Sequence, residues 1–163
     1  MLPFLEQNID HYRDLGPRFD LQDYFSGKLK AWGIVQNLRG DVVQRLKIDM
    51  FGQWNGSEGS LSEDIKYFDG RHEKRTWKLI KHENGNFSGT AEGIIGQAKG
   101  RSSGCATCWN YEMIIPVDGK DMNVHFDDWM YTIDENLVVN RSYIKKFGIK
   151  VAEVSIFIQK ESN

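Results

Sequence analysis

Proline is scarce in this chain of 163 residues, with three, and cysteine scarcer still, with two. So little proline excludes a polyproline or collagen-like chain and argues against a disordered, linker-rich one. Two cysteines cannot build a disulfide framework. They form "CATC" at 105–108, and residues i and i+3 of an extended strand face opposite ways, so two free thiols are the expected state. The four histidines (His11, His72, His82, His125) are scattered, and no second CxxC or HxxxH completes a zinc set, so no metal is expected. No apolar run approaches the roughly 18 residues of a membrane-spanning helix. A large charge of one sign is missing too. The net charge of −2 offers no broad basic footprint, so no nucleic-acid partner is expected. No cofactor fingerprint, phosphate loop or nucleophile–base pair is present.

What the chain does have is aromatics, at 12%, and glycine, at 16 residues. The glycines fall in turn signals of near-regular spacing: "RGD" at 39–41, "NGSEG" at 55–59, "DG" at 69–70, "NGN" at 84–86 and "DG" at 118–119. Asn-Gly and Asp-Gly favour two-residue hairpin loops, because primed turns need positive φ. The runs between them alternate. In 42–54 one face carries Leu46, Ile48 and Met50 and the other Arg45, Lys47 and Asp49; in 150–160 Ala152, Val154, Ile156 and Ile158 share a face. This is the pattern of an antiparallel sheet with one wet face. Helical periodicity is confined to "FDLQDYF" at 19–25, where Asp20 can cap one short helix. The expected fold is all-β: a single up-and-down barrel of about eight to nine strands, closed so that no edge is exposed. Residues 1–18 are read as an N-terminal extension and 19–163 as the barrel domain.

The segments "FDLQDYFSGKLKAWGIVQ", "LSEDIKY", "RTWKL", "FSGTAEGIIGQAKG", "FDDWMY" and "VNRSYIKKFGIKVAEV" occur in an order that resembles the bacterial domain-of-unknown-function family 3833 (DUF3833). The resemblance covers about residues 17–160. It implies a lipocalin-like barrel and no established activity, in a family whose members are often predicted lipoproteins. The chain departs from that pattern in lacking a lipoprotein signal with its lipidated cysteine and in having "GCATCWNY". Its N-terminus is acidic early, without a long apolar core, so it is no secretory signal as written. The expected location is cytoplasmic as the sequence stands, and the cell envelope if a signal has been removed.

In a barrel the informative residues are polar ones on apolar faces. In "NVHFDDWMY" Asp128 shares a face with Val124, Phe126 and Met130; in "LSEDIKY" Glu63 sits with Leu61, Ile65 and Tyr67; in "RTWKL" Arg75 sits with Trp77 and Leu79. In "LVVNRSY" Arg141 sits with Leu137, Val139 and Tyr143. Buried carboxylates are costly unless paired, and arginine is the partner that stays ionised. The turn at 69–70 sets Glu63 approximately opposite Arg75, and the turn near Glu135 sets Asp128 opposite position 142, beside Arg141 and Tyr143. Two readings coexist: structural ion pairs that fix register, or the polar lining of a pocket. Arg141-Ser142-Tyr143 is similar to the Arg-x-Tyr arrangement of fatty-acid-binding barrels and can hold a carboxylate while Trp77 and its apolar neighbours take a tail.

The resulting expectation is a binder, not a catalyst, of a small hydrophobic or amphipathic ligand such as a fatty acid or lipid. Its ligand residues would be Arg141, Tyr143, Asp128, Glu63, Arg75 and Trp77, with no catalytic residues, cofactor or metal. The first alternative is a structural or envelope-associated barrel with a filled interior. The second is a small lipid-modifying enzyme using Glu63 or Asp128 as a protonated acid. Oligomeric state is not legible.

Overall fold

The computed structural model describes residues 7–162. A short helix, α1 (Leu21–Tyr24), precedes ten antiparallel strands. These are β1 (Gly27–Asn37), β2 (Val42–Asn55), β3 (Glu58–Tyr67), β4 (His72–Lys81), β5 (Asn86–Thr90), β6 (Ile94–Ser103), β7 (Ala106–Val117), β8 (Lys120–Asp134), β9 (Leu137–Lys146) and β10 (Ile149–Lys160). Each strand pairs with its sequence neighbours, and β1 pairs with β10, so the sheet closes. The architecture is the expected up-and-down barrel, with ten strands instead of eight or nine. The difference rests on short elements: β5 has only five residues, between a turn at 84–85 and another at 91–93.

Alternation places the faces. In β2, Leu46, Ile48 and Met50 are buried while Arg45, Lys47, Asp49 and Phe51 are not. β10 turns Val154 and Ile158 inward. Glycine is used where chain meets chain: a Cβ on Gly100 would come within 2.5 Å of the Trp109 ring and 2.6 Å of Phe87, so its absence lets those two rings stack at 4.6 Å. Gly96, at φ +68°, lies where the β6–β7 register shifts between Ile95 and Lys99, a bulge that bends the wall.

One end of the barrel is closed by the segment before β1. Asp20 caps α1 by accepting from the Asp23 amide at 3.1 Å, as expected. Phe19, Leu21, Tyr24 and Phe25 then enter the core beneath the strand ends. Polar ties hold this plug, among them Tyr24 Oη donating to the Ile158 carbonyl at 2.5 Å, Trp54 Nε1 to the Phe25 carbonyl at 3.1 Å, and the Phe19 amide to the Gly104 carbonyl at 2.8 Å. Farther upstream, Ile9 packs with Ala106 and Trp129 in a small second cluster. Trp129 is thus buried although its strand neighbour Asp128 faces the lumen. The chain's own N-terminal region covers the outer face of β7 and β8 there.

The plug lies directly on β2. A Cβ at Gly52 would stand 1.7 Å from the Phe25 carbonyl oxygen, a backbone atom that cannot yield without moving the whole segment. Gly52→Ala is therefore expected to destabilise the protein by about 1–3 kcal/mol through forced displacement of the plug. Urea unfolding of the variant, with its native circular dichroism retained, would read this; an unchanged midpoint would show the plug to be loosely held.

Candidate functional site

Closure leaves a cavity of about 650 Å3, bounded at one end by Leu21 and Phe25 and reaching the loops at the other, where Tyr67, Arg71, Glu92 and Gly93 border it. Its two sides differ. Leu46, Ile48, Met50, Leu61 and Ile65 of β2 and β3, with Val154, Ile156 and Ile158 of β10, form an aliphatic wall. Opposite stands an aromatic wall. Trp77 meets Trp109 edge-on at 5.6 Å and Tyr111 at 5.3 Å, and Tyr111 stacks on Phe126 at 4.9 Å. Such a chain of edge and stacked contacts holds large flat side chains in place around an open space.

A polar group interrupts these walls: Glu63, Arg75, Tyr111, Asp128, Asn140 and Ser142 all line the cavity. Glu63 and Arg75 are direct cross-strand partners, as the turn at 69–70 predicts. Arg75 also lies 3.6 Å from Glu73 nearer the mouth. Burial drives the Glu63 carboxyl up to about 7; the Arg75 guanidinium opposes that shift and the Asp128 carboxylate reinforces it. Asp128 is pushed up to about 6, again first by burial, with hydrogen bonds from Ser142 and Asn140 holding it lower than burial alone would. Both bonds reach Asp128 Oδ1, from Ser142 Oγ and Asn140 Nδ2, and Asn140 Nδ2 also donates to the Trp129 carbonyl at 2.9 Å. The Tyr111 hydroxyl is raised well above its ordinary value by burial, then by Asp128 and Glu63. Glu63 feels the Asp128 charge across the lumen, and the Tyr111 hydroxyl feels both carboxyls, so the three are electrostatically linked.

The structure therefore brings Glu63, Arg75, Trp77 and Asp128 together and leaves out Arg141 and Tyr143. Those two face away from the lumen. Arg141 is exposed, 3.4 Å from Glu153, with its guanidinium 5.8 Å from the Tyr143 ring centre. The expected Asp128–Arg141 pair is corrected: Asp128 stands opposite Ser142 and Arg141 opposite Trp129. Residues directly opposite in antiparallel strands share a face, so the inward set of β9 is Val138, Asn140, Ser142 and Ile144. Apolar content could not decide the phase of "LVVNRSYI", because each of its faces carries aliphatic residues. The sequence pattern does not mark Asn140, Ser142 or Tyr111 as site residues, and it reads Trp109 as a core or rim filler. The pairing of Asp128 with position 142 was the signal that could have found the first two.

The thiols lie apart from this site. Cys105 and Cys108 are both free; Cys108 is half-buried, within 3.6 Å of the Arg101 carbonyl, and its thiol is raised by burial. Among the described residues no group of three His, Cys, Asp or Glu side chains is placed to hold a metal. Nor is any helix among them long and apolar enough to cross a membrane.

The chain matches the model of the family described as "Protein of unknown function (DUF3833)" over residues 1–160, and it belongs to that family. No curated protein matches it. Among solved structures it is similar to the S-type phycobiliprotein lyase CPES from Guillardia theta, at 10% sequence identity and a TM-score of 0.58, over 90% of this chain and 96% of that one. That likeness is one of fold: a lipocalin-like barrel, as the sequence motifs imply.

The two interior carboxyls make stability depend on pH in a direction opposite to that of surface acids. Asp128 moves from 3.8 to about 6 on folding and Glu63 from 4.5 to about 7, so the folded chain binds these protons more tightly than the unfolded one. The stability they contribute is full below their unfolded values and is lost as pH rises through about 6 and about 7. Asp128→Asn keeps the Oδ1 acceptor and removes the charge. Relative to the parent protein it should gain on the order of 2 kcal/mol at pH 8 over its difference at pH 4. Urea unfolding at both pH values measures this, and an equal difference at both would place an ionised Asp128 in the fold at no cost.

Proposed function

We propose that this member of the DUF3833 family is a non-catalytic carrier of one small amphipathic molecule, a lipid by chemical class, held inside the barrel. The observation that carries the reading is the cavity itself: about 650 Å3, walled by aliphatic and aromatic side chains and interrupted by one polar group. Ligand sites in proteins commonly span about 300–1,000 Å3 and combine an apolar lining with a few converging polar groups. A filled interior, the structural alternative, would leave no such space.

The character of the head group follows from the charges. A fatty-acid carboxylate would need Arg141 and Tyr143 inside the barrel, and both face outward. Arg75 is the arginine of the polar group, and it already stands opposite Glu63. A free carboxylate entering there would meet two carboxyls that resist ionisation because of their burial. A neutral head that donates hydrogen bonds, a hydroxyl or amide, suits Glu63 and Asp128 better. In this reading the tail lies along Leu46, Ile48, Met50 and Ile158, and Trp77 and Trp109 flank it.

Organic extraction of purified protein followed by mass spectrometry tests the proposal, with displacement of the neutral fluorophore N-phenyl-1-naphthylamine as the solution assay. Extraction should yield a stoichiometric lipid, or the delipidated protein should bind the fluorophore at one site. Glu63→Gln with Asp128→Asn should change which extracted lipids displace the fluorophore, whereas Arg141→Ala should change nothing. A protein that neither yields a lipid nor takes up the fluorophore would refute the carrier reading.

A further inference from the structure

The three most exposed large apolar side chains of the described residues are Phe147, at 89%, Leu38, at 70%, and Ile149, at 65%. All three lie on hairpin tips at the open end of the barrel. In an up-and-down barrel the turns after odd-numbered strands share one end, here the end opposite the plug. Leu38 is in the β1–β2 turn, Phe147 in the β9–β10 turn and Ile149 at the start of β10. Because β10 pairs with β1, those tips are neighbours. The next tip along the rim, between β3 and β4, exposes Phe68, and Val42 and Val43 at the start of β2 are exposed between them. Single exposed apolar residues need no explanation, but an arc of six on adjoining tips does.

Phe147 carries a second cost. It sits at φ +53°, a conformation in which Asn or Gly is favoured. The fold thus holds a phenyl ring out in water on a backbone ill-suited to it. Charge follows the same arc. The tip segments 37–43, 66–72 and 145–150 hold six cations (Arg39, Lys66, Arg71, Lys145, Lys146, Lys150) and two acids (Asp41, Asp69) in a chain whose net charge is −2. Asp127 and Glu153 on the strands behind engage Lys145 and Lys150. Lys146 lies 4.7 Å from the centre of the Phe147 ring. The other two tips of that end reverse the sign, with Glu92 on one and Asp118, Lys120 and Asp121 on the other.

We infer that this arc docks the mouth of the barrel on an anionic lipid bilayer. Phe147, Leu38, Ile149 and Phe68 enter the interfacial layer, and the surrounding lysines and arginines meet lipid phosphates. Apolar tips ringed by cations bind such surfaces by burial plus attraction to anionic headgroups, and the two terms reinforce each other. The acidic tips on the far side tilt the barrel, so its mouth opens along the membrane and not flat against it. The docking does not require that the cavity hold a lipid.

Co-sedimentation of the whole protein with phosphatidylcholine vesicles, with and without phosphatidylglycerol, tests this. The protein should pellet with the phosphatidylglycerol vesicles and be released by salt. The variant Leu38→Ser/Phe147→Asn/Ile149→Ser relieves the backbone cost at 147 and should bind about tenfold or more weakly. A native circular dichroism spectrum and an undiminished urea midpoint check its folding, and its uptake of N-phenyl-1-naphthylamine in solution, read independently, separates failure of docking from failure of the carrier reading. Equal binding by variant and parent would overturn the inference, as would no binding by the parent. So would a parent that ignores vesicles and forms a dimer abolished in the variant, which would make a second copy the occupant of the arc.

Discussion

Barrel, cavity and mouth all depend on the pairing of β1 with β10. Residues Leu29–Asn37 run antiparallel to Ala152–Lys160, joining the two ends of a meander that would otherwise expose two long edges. Closure does two things at once. It satisfies the edge N–H and C=O groups, which on an open sheet would invite association with other chains. It also converts one face of every strand into the wall of a single enclosed space. Ten strands make that space wider than side chains of ordinary size fill, because barrel diameter grows with strand number. The cavity is therefore a consequence of topology before it is one of composition, and the plug formed by Phe19, Leu21, Tyr24 and Phe25 is what leaves it with one mouth.

The phase of each strand was legible where one face was polar along most of its length. In β2 the alternation of Arg45, Lys47 and Asp49 with Leu46, Ile48 and Met50 leaves no doubt, and β3, β4, β8 and β10 read correctly for similar reasons. β9 does not follow this rule. Its outward residues include Val139 and Tyr143 and its inward residues include Asn140 and Ser142, so apolarity pointed the wrong way. A strand whose outer face is fairly apolar and whose inner face serves a polar group cannot be phased by hydrophobicity. It can be phased by its neighbour: Asp128 is inward, Asp128 pairs with Ser142, and a one-residue slip flips every side chain. Register is the stronger constraint where the two conflict. The cover that Ile9 and Tyr12 provide over Trp129 was illegible for a different reason, since contacts between an irregular segment and the outside of a barrel leave no periodic trace.

Asp128, an acid among apolar neighbours, is accommodated without an arginine. Asp128 is held by two neutral donors on the adjacent strand, Ser142 and Asn140, and burial still raises its carboxyl to about 6. Neutral hydrogen bonds stabilise the ionised form less than a guanidinium would, so the side chain stays poised between its two states. Glu63 differs: its cross-strand neighbour is a cation, yet its carboxyl lies higher still, at about 7. The geometry accounts for the order. Arg75 also faces Glu73, which draws on the same positive charge, and Asp128 repels a second negative charge across the lumen. An ion pair with Arg75 that dominated the site would lower the Glu63 carboxyl, and it is raised.

Burial that raises both acids makes their charged forms a liability to the fold near neutral pH. Replacing them with aliphatic residues would fill part of the cavity and remove the penalty, which is the usual outcome for buried ionic groups with no other role. Groups that cost stability and face an accessible space need a further reason to be there. Hydrogen-bonding a ligand supplies one: a donor placed between Glu63 and Asp128 would lower the cost of their burial and so couple occupancy of the barrel to its stability. The aromatic wall of Trp77, Trp109 and Tyr111 supports this physically, since large flat rings locked by mutual contacts preserve an open lumen where flexible side chains would collapse into it.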